Sequence, residues 1–541
     1  SSDLLIQRML LRLDDRYEKI VSWAINHGVT VIVSAVVLLA LSVGSVLLLG
    51  MEFLPESDEG EFSIYMETRT GASFQSTTSK VIEVENLIIE TFGDNLSHIS
   101  SQVGRGGNMI DAGNVGSHLA TVHVMLLNKD ERDASIWELM RNLDEEMGKK
   151  LLDIKYTMNV EGIASLASSA TGESDPVAVE LRGDDLDELY VYAKRIEAVF
   201  KTVDGTRNEK VSHNTGKPEL QFRIKRREAL SLGLSPFEIA ATVRAAYKGY
   251  TVTRYTEEEE SYDVVLLLRE EDRVPERFSS LYFVNQAGTR IPLENLVDIE
   301  EGTGPMSVSR KGRTRVITVT AGLTGERALN RVMADVRAGI DAAGPPPLGI
   351  DMAYAGTSEG MNSSYESLFL ALLFAVALVY MVMASQFESL LHPFIVMFSV
   401  PFAIIGLVVA LLITNTTFSL LAFVGAILLV GIVVNNAIVL IDYINLLRSR
   451  GVPLREAIVK GGKTRLKPIL MTSLTTIFGL LPMSLGIGQG SELRAPMGRA
   501  IVGGLTTSTM VTLVLIPVLY WIVESRLRRK KNENQHAQVL R

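Results

Sequence analysis

Six stretches of this chain are apolar enough and long enough to cross a bilayer, and their spacing is uneven. They cover residues 29–49, 368–383, 393–413, 420–444, 468–487 and 501–523. A span needs roughly 20 mainly apolar residues to cross about 30 Å of hydrocarbon, and the second stretch reaches that length once residues 365–367 are counted. The first stretch stands alone, and the other five crowd together after Met361. Between them lies a polar insert of about 310 residues, enough to bury a core of its own. The chain is 47% hydrophobic and 21% charged, so the apolar residues must sit in blocks apart from the charges. A soluble globule does not divide its residues in this way.

The short loops set the orientation. Arg8, Arg12, Arg16 and Lys19 precede the first span. Arg448, Arg450, Arg455, Lys460, Lys463, Arg465 and Lys467 lie between spans four and five, and Arg526, Arg528, Arg529, Lys530 and Lys531 follow the sixth. Six spans place all three basic segments on one side, and the Lys/Arg bias makes that side cytoplasmic. The insert is then outside. The net charge is −9, with the acids mainly in residues 52–360, so no basic field is offered to nucleic acid. With no Cys there are no disulfides and no thiolate zinc sites. The chain begins Ser1-Ser2 rather than with Met, and is expected to be a fragment or a trimmed chain.

Within the insert, residues 61–67 and 120–125 alternate with period two and predict strands. Residues 77–92 predict a helix with Val81, Val84, Leu87 and Ile88 on one face. Strands at 177–181 and 220–224, helices at 186–200 and 236–247, then a strand at 316–320 and a helix at 328–343 continue the pattern. The recurring unit is βαβ-like, which predicts small α+β subdomains of split βαβ topology. Residues 164–174 (ASLASSATGES) read as a linker or mobile loop. The stretch Gly104, Arg105, Gly106, Gly107, Asn108, Met109 is glycine-rich but lacks the Lys-Ser/Thr of a phosphate loop. It is either a plain turn or, across residues 103–114, a mobile gate with Met109 and Ile110 as an adaptable apolar surface.

Polar groups inside spans are functional candidates by default. Span four carries Asn435 and Asn436 near its middle and Asp442 nearer the cytoplasmic end. The two Asn residues serve either as interhelical hydrogen-bond glue or in ion coupling, and Asp442 either joins them, caps the helix end or pairs with a basic loop residue. Span five carries Thr472, Thr475 and Thr476, whose hydroxyls reach either across to span four or back to their own helix. There is no nucleophile elbow, metal-ligand cluster or nucleotide loop, so no enzyme activity and no cofactor are expected.

Several stretches together resemble one known family. They are Phe53-Leu-Pro55-Glu-Ser-Asp58-Glu-Gly60 after the first span, Gly356-Thr-Ser-Glu359 before the second, and Ser385-Gln386-Phe387-Glu388-Ser389 at the following turn. Asn435-Asn436-Ala-Ile-Val-Leu-Ile-Asp442-Tyr443 and Arg465-Leu-Lys-Pro468-Ile-Leu-Met-Thr472-Ser473 complete the set. Nearly the whole chain resembles the C-terminal half of a resistance-nodulation-division (RND) efflux transporter of the hydrophobe/amphiphile type. The resemblance implies an α+β membrane protein with six transmembrane helices. A large extracytoplasmic domain of split βαβ subdomains is inserted between the first and second.

It further implies an amphipathic cytoplasmic segment (1–28), a first transmembrane helix (29–50) and an extracytoplasmic domain (51–361). That domain holds porter modules (56–205 and 299–360) and a docking module (206–298). A five-helix bundle (362–525) and a basic tail (526–541) follow. The proton gradient is the implied energy source, with Asn435, Asn436, Arg465 and Thr472 at relay positions. The implied partners are a complementary N-terminal half carrying paired acids, a trimer of full pumps, a periplasmic adaptor, an outer-membrane channel and the lipid bilayer of the bacterial inner membrane. The implied substrates are amphiphilic small molecules, and the loop around Gly104 to Asn108 resembles one that separates two drug pockets. A protein-export motor subunit or a membrane scaffold is the alternative from a different class.

Overall fold

A computed structural model describes residues 2–55, 57–106, 115–163, 175–212, 215–257, 260–274, 277–278, 281–285, 287–305, 308–324 and 327–539. The chain divides into two compact units, one of residues 1–212 and 309–541 and one of residues 213–308.

In the larger unit, strand Glu61–Glu67 lies between Val115–Leu126 and Lys155–Val160, with Leu96–Arg105 at the far edge of the sheet. All three pairings are antiparallel. Helices Phe74–Phe92 and Ile136–Lys150 cover one face. The first starts where the Ser73 hydroxyl accepts from the Ser76 amide, which satisfies one of the orphan donors of its first turn. Its buried face includes Val81, Val84, Leu87 and Ile88, the four expected from helical spacing. They meet Phe62, Ile64 and Met66 of the central strand.

A second module repeats the order with different residues. Strand Val177–Gly183 lies between Thr314–Leu323 and Asp351–Ala355, and Thr206–Val211 pairs with the outer side of Thr314–Leu323. Helices Leu186–Phe200 and Leu329–Ala343 supply Ile196, Phe200, Val332 and Val336 to its core. Both modules are βαββαβ units, the split βαβ topology. Their second and third strands are joined differently. In the first module the connection is residues 106–114. In the second it is the whole smaller unit.

That smaller unit is built on a long antiparallel pair, Thr215–Ile224 with Val297–Pro305. Helix Pro236–Lys248 opens with a capping box, Ser235 and Glu238 each accepting from the other's backbone amide. Ile239, Phe278, Phe283 and Leu293 form its core.

Six helices are long and apolar enough to cross a membrane: Gly28–Leu48, Thr357–Phe387, Leu391–Ile413, Leu420–Ser449, Leu454–Leu485 and Ser491–Arg526. Several outrun the apolar stretches that announce them. The second starts eleven residues before Leu368, because Thr357, Ser358 and Met361 are buried, Met361 in the core of the second module. The fifth starts fourteen residues before Pro468, where Leu454, Ala457 and Ile458 enter a core with Tyr17 and Val21.

Spans three and six touch backbone to backbone. A Cβ on Gly503 would overlap the Gly406 carbonyl oxygen and the Ala410 methyl group. Small residues at such crossings let helices approach closely where lipid offers no hydrophobic drive.

The inserted modules and the segments leading to them are tied to the spans at several points. Tyr365 of span two donates to the Phe418 carbonyl at 2.8 Å, beside the parallel pairing of Met51–Glu52 with Phe418–Ser419. Gln489, between spans five and six, donates to the Glu59 carbonyl at 2.7 Å, and Lys129 pairs with Glu492. Asp58 and Arg132, both with fully buried side chains, form an ion pair at the exit from the first span. Gly60 and Ile136 amides complete the shell of the Asp58 carboxylate.

Candidate functional site

The polar residues of the spans fall into separate groups. The most buried group joins spans four, five and six. Asn436 Nδ2 donates to Ser473 Oγ at 2.9 Å, and Ser473 Oγ lies 2.9 Å from Thr509 Oγ1. Thr509 donates to its own Leu505 carbonyl at 2.7 Å, as hydroxyls in helices commonly do. That spends the only hydrogen of Thr509, so Ser473 must be the donor between the two hydroxyls. The row therefore has one direction, from Asn436 through Ser473 and Thr509 to the Leu505 carbonyl. The orientation of the Asn436 amide follows as well. Turned over, it would need the Ser473 hydrogen and would leave two acceptors facing each other between Ser473 and Thr509.

Asn436, Ser473 and Thr509 are each at least nine-tenths buried. Thr472 sits on the rim. Its hydroxyl is 3.4 Å from Asn436 Oδ1 but closer to the Ile469 carbonyl, at 3.0 Å. One hydrogen cannot serve both, so the shorter bond takes it. One turn along span six from Thr509, Thr512 is buried and its hydroxyl is unpaired among the described residues.

The other candidates lie elsewhere. Asn435 and Asp442 are on exposed faces of span four, and Thr475 is on an exposed face of span five. Arg465 does not join the Asn436 row. Its guanidinium lies 4.6 Å from the ring centroid of Tyr443, a cation–π contact. Nearer the C-terminal end of span four, Arg448 donates to the Tyr520 hydroxyl at 2.7 Å and to Glu524 at 2.5 Å, and Tyr520 donates to Asn445 at 2.6 Å.

Thr509 is a member of the row that sequence reading passed over. Its signal was present in span six, where Thr506, Thr507, Ser508 and Thr509 interrupt an apolar run. Ser473 lies beside Thr472 in the span-five motif, and only packing reveals its part in the row.

In the first inserted module, Gly104 takes a φ of +98° where the strand pairing slips between Val103 and Arg105. Only glycine adopts that backbone without strain. Arg105 then pairs with Val115, and Gly106 is buried. Gly107, Asn108 and Met109 lie outside the described residues, as does the linker at 164–174.

Multiple apolar helices, a large inserted pair of split βαβ modules and buried polar rows within the helices define a multi-pass membrane protein of the RND efflux type. The AcrB/AcrD/AcrF family matches residues 5–524, and the chain belongs to that family. It is similar to the cation efflux system protein CzcA of Alcaligenes sp. (strain CT14), 29% identical over 542 residues, covering 97% of this chain and 50% of that protein. It is equally similar to the multidrug resistance protein MdtC of Pantoea ananatis (strain AJ13355), 29% identical over 541 residues, covering 98% of this chain and 51% of that one. A crystal structure of a heavy metal efflux pump superposes with a TM-score of 0.82 at 26% identity, covering 96% of this chain and 52% of that chain. The chain thus spans about half the length of the relatives it matches.

Proposed function

We propose that this chain is the C-terminal half of a proton-driven RND exporter of amphiphilic drugs or other hydrophobic small molecules. The exporter works from the bacterial inner membrane with its inserted modules in the periplasm. The observation that carries this is the row from Asn436 through Ser473 to Thr509, in a chain that belongs to an efflux family. Hydrogen bonds across three spans make their relative positions sensitive to any charge arriving beside them. Neither the Asn amide nor the hydroxyls titrate near neutral pH, so the row senses protonation rather than carrying it. Titrating acids must come from a complementary N-terminal half. The full pump acts as a trimer with a periplasmic adaptor and an outer-membrane channel, and residues 103–114 serve as a substrate gate.

Likeness to MdtC supports the drug substrates. Likeness to CzcA and to the heavy metal efflux pump supports a second reading, in which metal cations are exported. Susceptibility separates them. The full-length transporter, expressed in a bacterium lacking its own exporters, should protect against amphiphilic drugs. Protection against zinc, cobalt or cadmium salts alone would overturn the drug reading. Protection against neither, with the protein present in the membrane, would favour a scaffold or motor role.

A further inference from the structure

Residues 12–25 of the N-terminal helix, Ser2–Asn26, sort their side chains into three faces. One is buried: Tyr17, Val21, Ala24 and Ile25 enter the core of the spans, and the Tyr17 hydroxyl donates to the Leu513 carbonyl at 2.9 Å. A second face carries Asp14, Asp15 and Glu18, and each of the three is matched. Asp14 pairs with Lys467 at 2.9 Å, and Asp15 and Glu18 both pair with Lys463, at 3.3 and 2.7 Å.

The third face carries Arg12, Leu13, Arg16, Lys19, Ile20 and Trp23, all exposed. At about 100° per residue these six fall within an arc of about 120°. None of the three cations takes part in an ion pair among the described residues. So these three acids are neutralised by span five, while Arg12, Arg16 and Lys19 are left facing outward beside Ile20 and Trp23, each about half exposed.

The position of this face identifies its occupant. Trp23 is five residues before the first span, and the backbone runs on without a loop. The His27 amide donates to the Trp23 carbonyl at 3.0 Å, and the Val31 amide to the His27 carbonyl at 3.1 Å. The rings of Trp23 and His27 stack at 5.0 Å. A helix anchored in this way cannot leave the membrane surface. Tryptophan settles at the headgroup level, and cations beside apolar side chains suit an interfacial helix on an anionic leaflet.

We propose that the face formed by Arg12, Arg16, Lys19, Ile20 and Trp23 is a docking surface for anionic phospholipids of the cytoplasmic leaflet. The cations hold the headgroups, and Ile20 and Trp23 sink to the acyl boundary. Each surface cation adds to the local preference for anionic over zwitterionic lipid. The surface fixes the helix, and through Tyr17 and Lys463 it bears on spans five and six.

The full-length transporter tests this in vesicles of phosphatidylethanolamine and phosphatidylglycerol. A photoreactive benzophenone side chain replaces Trp23, and in a control it replaces Leu38, an exposed residue of the first span. Position 23 should form lipid adducts enriched in phosphatidylglycerol. Combining Arg12→Gln, Arg16→Gln and Lys19→Gln should lower that enrichment by about fivefold or more, with lipid adducts still formed. Lys19→Gln alone should lower it in part. Adducts to protein at position 23, from the rest of the transporter or from a second copy, would overturn the proposal, as would an enrichment unchanged in the triple variant. Lipid adducts at Leu38 without any at position 23 would overturn it while leaving the membrane span intact. No lipid adducts at either position would overturn both.

Discussion

Asn436 and Ser473 meet at 2.9 Å in the interior of the helical bundle, and the Ser473 hydroxyl passes the contact on to Thr509. Spans four, five and six are therefore joined by one directed row. Its ends differ in strength. At the Thr509 end the last hydrogen is held by the Leu505 carbonyl at 2.7 Å, whereas at the Asn436 end the Thr472 hydroxyl stands 3.4 Å from Oδ1. The row is anchored in span six and loosest at span four.

Because Ser473 and Thr509 act in sequence, their replacements should not add. Ser473→Ala and Thr509→Val should each destabilise the detergent-solubilised protein by about 0.5–1.5 kcal/mol, and the pair by clearly less than the sum. A double-mutant cycle on thermal unfolding reads the coupling. Strict additivity would mean that the two hydroxyls do not share a hydrogen bond.

Gly503→Val should be far more damaging than any change in the row. Its side chain would strike the Gly406 backbone and Ala410, and spans three and six would have to separate. The expected result is loss of folded protein from the membrane, measured by fluorescence-detected size exclusion. Gly431→Ala is the control, since nothing lies within 4 Å of a Cβ there. It should leave the amount of folded protein unchanged.

Arg132→Leu should destabilise the first βαββαβ module by about 3–5 kcal/mol, because it leaves the fully buried Asp58 carboxylate without its cation. Limited proteolysis should then cut within residues 61–160 at denaturant concentrations that spare the wild type. Cutting at the same concentration in both would show that the pair contributes little.

The second βαββαβ module should weaken in acid through Glu180. Burial favours the neutral form of this carboxyl, but Lys311 at 2.6 Å and Arg182 at 2.5 Å outweigh it and hold the pKa below its ordinary value of 4.5. A depressed carboxylate contributes stability that is complete above its unfolded pKa and lost as pH falls through the folded one. Glu180→Gln should therefore be less stable than wild type at neutral pH and lose less on acidification below 4.5. Hydrogen exchange of strand Val177–Gly183 as a function of pH reports this. Parallel profiles for the two proteins would rule it out.

Much of this architecture was written in local pattern. Alternation at 61–67 and helical spacing at 186–200 predict elements whose ends coincide with Glu61–Glu67 and Leu186–Phe200. Apolar runs locate all six long helices but not their full lengths, because hydropathy follows the hydrocarbon layer while helices continue wherever tertiary partners exist. The helix Leu454–Leu485 extends through Lys463 and Lys467 because the acids of residues 14–18 wait beside it, more than 400 positions away in sequence. The polar row was half legible for the same reason. A buried amide in span four announces a need for partners, but only packing decides that Ser473 and Thr509 meet it while Asn435, Asp442 and Thr475 face outward.

Gradient-driven export decides whether the Asn436 row belongs to the transport machinery. The full-length transporter and its Asn436→Leu variant are reconstituted into liposomes, a pH gradient is imposed, and movement of a fluorescent amphiphile is followed. Loss of the Asn436 bonds costs about 1 kcal/mol of helix packing, too little to unfold the protein. Reconstitution should therefore be equal, and gradient-dependent export should be strong in wild type and abolished in the variant. Equal export by both proteins would reduce the row to packing, and export by residues 1–541 alone would contradict the need for a complementary half.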